Sequence, residues 1–241
     1  MLTERQAGNL RVVLVAARNP LNIGAAARAM SNFGFSRLRV VNRYDVAFRE
    51  ARSAVGAPEL LKDAEEFATV EDSVADCSLI VGTTAAGPSR KLEHPLHRLD
   101  AGGELICARL AVERVALLFG SEKRGLSNED LTYCHWLMRI PTRETHSSMN
   151  LGQAVAICLY ELIRSDRVQL PEVGAGASGA VLERMTRALL DLLGESGYTK
   201  LGTEAAVEAK SRRLIRRMSL SEEDAETWTG MLAKIRANLR R

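Results

Sequence analysis

Three stretches of this chain carry residue types that could do chemistry. They are NIGAAARAM at residues 22–30, LLFGSEKRGLSNEDL at 117–131 and IPTRETHSSMNLGQAVAICLYEL at 140–162. The third is the richest. Its polar loop holds Thr142, Arg143, Glu144, Thr145, His146, Ser147 and Ser148, and a helix opens at Asn150 and runs to about residue 163. Leu151, Ala154, Val155, Cys158, Leu159 and Leu162 recur at three- and four-residue spacing, so one face of that helix is buried. Hydroxyl and amide groups beside the unpaired N–H donors of a helix start can hold a small polar ligand. A capped helix after a strand accounts for the same residues equally well. In the first stretch, Gly24 and the alanines let backbone or ligand come close, and Asn22 is either a polar ligand group or a helix cap. Arg28 lies six residues beyond Asn22, nearly two turns along the helix.

Each stretch follows a predicted strand. Short β-branched apolar runs at 10–16 (LRVVLVA), 38–41, 77–82 (CSLIVG), 115–119 and 136–140 read as buried strands. Strand, helix and strand within about thirty residues make a βαβ unit, hence an α/β fold with a mostly parallel sheet. In such sheets ligands collect at the carboxyl ends of strands. Residues 42–75 predict helical turns at 49–55 and 59–67, separated by Pro58. A small-residue loop, TTAAGPSRKL, fills 83–92, and a helix is expected over 96–110. One helical turn is expected at 128–131. After Arg164 the texture changes. PEVGAGASGA at 171–180 has little to bury and reads as a linker. Helical patterns follow at 181–195, 203–218 and 221–239, with Ser221 and Asp224 spaced as an N-terminal cap. The expected division is a main domain at 1–168, a linker at 169–180 and a helical domain at 181–241.

Composition is that of an ordinary soluble protein, 46% hydrophobic and 26% charged. No run approaches the ~20 apolar residues that cross a bilayer, and the polar N-terminus lacks a signal region, so a cytoplasmic protein is expected. Cys77, Cys107, Cys134 and Cys158 are scattered without a CxxC pair, which argues for buried reduced thiols over zinc or redox chemistry. Residues 1–179 hold 21 basic and 21 acidic residues, whereas 180–241 hold 12 and 9. The tail's cations concentrate in Lys210, Arg212, Arg213, Arg216 and Arg217. On a helix Lys210, Arg213 and Arg217 share a face, which is either a phosphate contact or a solvated surface.

Taken together, the three stretches resemble in order, spacing and residue type the three motifs of the SPOUT (α/β-knot) RNA ribose 2′-O-methyltransferases. The similarity covers residues 10–165 and is greatest to the TrmJ-type branch of the TrmH family. The resemblance implies a mostly parallel sheet flanked by helices, a deep trefoil knot at the end of the catalytic domain, and a small all-α domain after it. It implies S-adenosylmethionine as methyl donor, S-adenosylhomocysteine as product, and no metal. Carried over, the donor site is Thr83, Thr84, Ala85, Gly120, Glu122, Leu126, Ile140, Ser147, Ser148, Met149 and Asn150. The catalytic group is Arg28, Asn22, Glu122, Ser148 and Asn150. Arg28 would stabilise the developing alkoxide rather than act as a base, because a guanidinium holds its proton firmly. Arg90 would touch substrate, and Lys210, Arg213 and Arg217 would clamp RNA phosphates. The implied assembly is a homodimer in which Arg28 of one protomer serves the donor loops of the other. The implied substrate is tRNA, at a cytidine or uridine in anticodon-loop position 32, with ribosomal RNA next.

Two other readings compete. A nucleotide-binding oxidoreductase would explain NIGAAARAM after a strand with Asp45 about twenty residues on, but the chain lacks GxGxxG and the two later loops would have no use. A non-catalytic RNA-binding protein would have no need of Asn22, Arg28, Glu122, Ser148 and Asn150 together.

Overall fold

The computed structural model describes residues 2–41, 45–53, 59–85, 93–143, 145, 147–164 and 175–239. Arg90, Glu144 and His146 lie outside these residues. Seven strands form one sheet in the order β3-β2-β1-β6-β4-β7-β5, with every neighbouring pair parallel. They are β1 (Leu10–Val15), β2 (Leu38–Val41), β3 (Glu65–Phe67), β4 (Leu79–Thr83), β5 (Leu96–Arg98), β6 (Val115–Phe119) and β7 (Trp136–Arg139). All six residues of β1 and all five of β6 are buried, so the apolar runs are continuous rather than alternating, as a sheet covered on both faces requires.

Alternation shows instead in what each residue meets. Val12, Leu14, Leu117 and Phe119 join the core beneath α2 (Pro20–Asn32), α5 (Leu99–Leu110) and α7 (Leu151–Arg164). Val13, Val15, Ile80 and Leu118 face the other way, toward α4 (Val70–Val74) and the turn α6 (Asn128–Leu131). Helices α2 and α7 pack so closely that a Cβ at Gly152 would stand 2.6 Å from the Ala25 methyl, which is why glycine occupies that position.

The topology places the candidate loops. Strands β6, β4 and β7 are adjacent, so the segments leaving their carboxyl ends (after Phe119, Thr83 and Arg139) emerge side by side. Strand β1 borders β6, which brings the start of α2 to the same edge.

Three helices end the chain: α8 (Gly179–Glu195), α9 (Glu204–Arg217) and α10 (Glu222–Leu239). They share a core of Val181, Leu182, Met185, Ile215, Ala225 and Leu232. At its centre Glu183 accepts from Arg212 at 3.0 Å and from Arg216 at 3.4 Å, and all three side chains are buried. The helices dock on the sheet's second face. The Gly179 and Ala180 amides donate to the Cys77 and Ala75 carbonyls, and Arg187 pairs with Glu71.

Several expectations are corrected. The helix expected from Asn22 begins at Pro20, because Asn19 caps it and proline suits its first turn; the Asn19 side chain accepts from the Leu21 amide at 3.0 Å. Asn22 is therefore not the cap. The helix expected over 96–110 begins at Leu99, since pairing with β7 draws residues 96–98 into an edge strand. The turn expected at 59–67 splits into a 3-10 turn at Glu59–Leu61 and the opposite edge strand β3. The helix expected at 49–55 is α3, Asp45–Ser53. Helix α1 (Glu4–Asn9) and α4 were not anticipated. The described part of the expected linker is anchored: Gly176 donates to Glu113 at 2.6 Å and Ala177 to the Leu220 carbonyl at 2.8 Å. Finally, Arg212 and Arg216 of the basic cluster are buried, apart from the face that Lys210, Arg213 and Arg217 were expected to share.

Candidate active site

The three adjacent loops line a cleft of about 390 Å³, within the size range of small-molecule sites. Its wall after β4 is Thr83, Thr84 and Ala85; Thr83 Oγ1 donates to the Leu118 carbonyl at 2.9 Å and the Thr84 amide to the Met138 carbonyl at 3.0 Å. Both residues are thereby fixed to the neighbouring strands. The wall after β6 runs from Gly120 to Leu126. That segment doubles back, with Gly125 donating to the Ser121 carbonyl at 2.7 Å and adopting φ +66°. A Cβ at Gly120 would lie 2.0 Å from the Gly125 carbonyl carbon, so the loop closes only over a glycine. The third wall holds Ile140, Thr142, Ser147, Ser148 and Met149, with Leu151 and Ala154 from the start of α7. Apolar side chains of Phe119, Leu126, Leu131 and Met138 complete the lining.

Beside the cavity a chain of hydrogen bonds ties the motifs together. Glu122 accepts from the Arg18 amide (3.2 Å), the Asn19 amide (3.1 Å) and Asn22 Nδ2 (3.0 Å). Asn150 Nδ2 donates to Asn22 Oδ1 at 2.7 Å. Asn150 Oδ1 accepts from the Gly152 amide at 2.9 Å and the Gln153 amide at 3.3 Å, which makes it the cap of α7. Partial burial pushes the Glu122 carboxyl upward, but the bonds from Asn22 and the loop amides outweigh it and hold it below the usual carboxylate range. Glu122 is thus a fixed anion at neutral pH.

Every residue expected at the donor site lines the cavity except Asn150, which stands next to it as the cap. Of the expected catalytic residues, Asn22, Glu122 and Asn150 are joined, and Ser148 lines the cavity. Arg28 is exposed on α2 and is not part of the cavity wall of its own chain. Among the tail residues Lys210 is exposed, Arg213 pairs with Glu93 at 2.6 Å, and Arg217 donates to the Glu93 carbonyl at 3.4 Å. Lys123 and Arg124 also line the wall, although the sequence pattern singled out neither. It also missed Asn19, whose amide Glu122 holds. Their presence within or next to the motif stretches was the available signal, but side-chain direction in a doubled-back loop has no period to read.

The cavity's chemistry suits an adenosyl donor. Apolar side chains and loop backbone can pack on and read an adenine, while hydroxyls and Glu122 offer polar groups at one end. Comparison with known proteins agrees. The SpoU rRNA Methylase family profile matches residues 9–160. A tRNA (cytidine/uridine-2′-O-)-methyltransferase TrmJ of Sodalis glossinidius is 33% identical over 234 residues, covering 94% of this chain and 91% of the relative. The crystal structure of TrmJ from Z. mobilis ZM4 superposes with a TM-score of 0.80 at 28% identity, covering 93% of this chain and 98% of that one. A probable methylase family protein from Haemophilus influenzae Rd KW20 gives a TM-score of 0.59 at 29% identity, covering 98% and 100%. With two of its three motif stretches lining one cavity, the first tied to them through Asn22, and the family profile matched across all three, this chain belongs to the SpoU methylase family of RNA methyltransferases.

Proposed function

We propose that this protein methylates the ribose 2′-hydroxyl of a cytidine or uridine in tRNA, at anticodon-loop position 32, using S-adenosylmethionine in the cytoplasm. The observation that carries the reading is the cavity walled by the loops after β4, β6 and β7, the same loops whose residues the family resemblance assigns to the donor. The named activity of the Sodalis relative, similar over nearly the whole chain, supports the substrate class.

Thr83 to Ala85, Gly120, Leu126, Ile140 and Met149 would hold the donor, whose sulfonium-bound methyl is the electrophile. This chain's residues then have three tasks. The walls exclude water and align the acceptor with the methyl. Glu122, Asn22 and Asn150 hold the three motif segments in register. Arg28 stabilises negative charge as the hydroxyl proton leaves to phosphate or water.

The assembly we propose is a homodimer with composite sites. Leu21 is 79% exposed, Arg28 follows it by seven residues on the same face of α2, and Tyr160 of the neighbouring α7 is 51% exposed. A second copy seated there covers apolar surface and brings each Arg28 to the partner's cavity. The trefoil knot, formed where α7 threads the loops before it, and a small all-α domain at the C-terminus belong to the same proposal. Arg90 and Lys210 are proposed RNA contacts. Ribosomal RNA is the second substrate reading, favoured by the family's own description.

The test of the donor site is calorimetric titration with S-adenosylhomocysteine and, separately, with NADH. Saturable binding of the first and none of the second is expected. The reverse would replace the methyltransferase by a nucleotide-dependent oxidoreductase.

A further inference from the structure

Helix α9 touches the surroundings of the cavity at two points, one at the surface and one buried. The first is Glu93. Its carboxylate pairs with Arg213 at 2.6 Å and its carbonyl accepts from Arg217 at 3.4 Å. The Arg213 side chain is 20% exposed and that of Glu93 56%, so the pair sits at the surface with the guanidinium the more covered of the two. Glu93 stands eight residues after Ala85, the last described wall residue of the loop that leaves β4. The chain beyond it is fixed in turn: the Leu137 amide donates to the Pro95 carbonyl at 2.9 Å, and residues 96–98 pair with β7. His94 is buried between Glu93 and Pro95, with Nε2 unpartnered.

The second contact is the α6 turn. Leu131, its last residue, lines the cavity. The next two residues are held from α9: Arg212 Nη1 donates to Thr132 Oγ1 at 3.3 Å, and the Arg212 guanidinium lies 4.5 Å from the Tyr133 ring centroid. Arg212 is itself locked by Glu183 and Glu208. Helix α9 therefore holds the segment that leads into β5 and the residues that follow the α6 turn, 120 and 80 residues earlier in the chain.

We infer that α9 is a positioning element for the donor cavity, with Arg213 acting through Glu93 and Arg212 through the α6 turn, so that the C-terminal helices set donor affinity rather than serving only to hold RNA. The inference rests on the proposed methyltransferase function. It reassigns Arg213 from phosphate ligand to positioning residue, and leaves the exposed Lys210 and Arg217 to meet RNA.

Charge reversal separates the two meanings of Arg213. In the full-length protein, Arg213→Glu and Glu93→Arg are made singly and together. Three quantities are measured for each variant: S-adenosylhomocysteine affinity, the donor KM and kcat for methyl transfer, and the salt dependence of tRNA binding. Each single variant is expected to weaken donor binding and raise donor KM by about threefold to tenfold, the size of a contact coupling. The double variant, with the pair reversed, is expected to return to within about twofold of wild type. The salt slope of tRNA binding should stay unchanged throughout. The contrary result is a salt slope that falls by about one with Arg213→Glu and is not restored in the double variant, which would make Arg213 a phosphate ligand. Thermal midpoints are measured alongside. A midpoint that drops in the single variants while donor KM stays at the wild-type value would reduce the pair to a structural contact and overturn the inference. Failure of the wild-type protein to bind S-adenosylhomocysteine would instead defeat the methyltransferase reading on which this rests.

Discussion

If Glu122, Asn22 and Asn150 work as one unit, removing two of them should cost less than the sum of removing each. Glu122→Ala deletes three accepted hydrogen bonds, from the Arg18 amide, the Asn19 amide and Asn22. The carboxylate is exposed, so water competes for each donor and the lower half of the usual net range of ~0.5–1.5 kcal/mol per bond applies. The expected loss is about 2 kcal/mol, or about 4–8 °C in Tm for a chain of this size. Asn22→Ala deletes two bonds, to Glu122 and from Asn150, and should cost about 1.3 kcal/mol. The 3.0 Å bond between them is counted in both, so the double variant should fall short of additivity by about 0.5–1 kcal/mol. Chemical denaturation of the four proteins measures this cycle, and methyl-transfer kinetics repeat it for the transition state. Each single variant should lower kcat/KM about tenfold, and the double variant barely more than either, as groups acting together do. Strict additivity in both stability and ln(kcat/KM) would refute the idea that the motifs are coupled through these side chains.

Two further outcomes follow from buried groups outside the cavity. His135 is fully buried, accepts from the Ile80 amide at 3.1 Å, and is held down to about 3 by burial and the nearby Arg216 and Arg109. The native state therefore leaves it neutral while the unfolded chain protonates it below about 6.5, so its contribution to stability is intact above pH 6.5 and is lost as pH falls toward 3. Stability should drop by up to ~1.4 kcal/mol per pH unit across that window, and His135→Gln should flatten the slope in denaturation curves between pH 6 and 4. The Glu183, Arg212 and Arg216 cluster gives unequal results from its two sides. Glu183→Ala strands the buried Arg216 guanidinium and takes one of two carboxylates from Arg212, and should cost about 3–5 kcal/mol, whereas Arg216→Met leaves Glu183 paired with Arg212 and removes a group with Nε and Nη1 already unpartnered, so it should be close to neutral. Thermal melts of both variants check the contrast.

The loops that wall the cavity were legible in the sequence because they follow strands with clear apolar runs, while the individual donor residues came from the family resemblance. Val115–Phe119 and Leu10–Val15 are buried on both faces and could be nothing else. The edge strands were not legible. Glu65–Phe67 and Leu96–Arg98 have three residues each and no buried one, so nothing in their pattern distinguishes a strand from a turn or the start of a helix. Only pairing with β2 and β7 makes them strands. The inward turn of Arg212 and Arg216 was equally hidden. Nothing local marks two arginines four apart as buried, because Glu183, their partner, lies 29 and 33 residues earlier. Nor could periodicity show Glu122 reaching back to Asn19 and Asn22, a hundred residues away, since that contact depends on β1 and β6 being neighbours.

The central claim is that this cavity delivers a methyl group to an RNA ribose. The most direct measurement offers radiolabelled S-adenosylmethionine with total tRNA and, separately, ribosomal RNA to the wild-type protein and to Arg28→Ala, followed by digestion to nucleosides. The account predicts label in tRNA, recovered as 2′-O-methylcytidine or 2′-O-methyluridine, and its loss with the substitution. Label in ribosomal RNA alone would overturn the substrate assignment, and no label together with no S-adenosylhomocysteine binding would contradict the account itself.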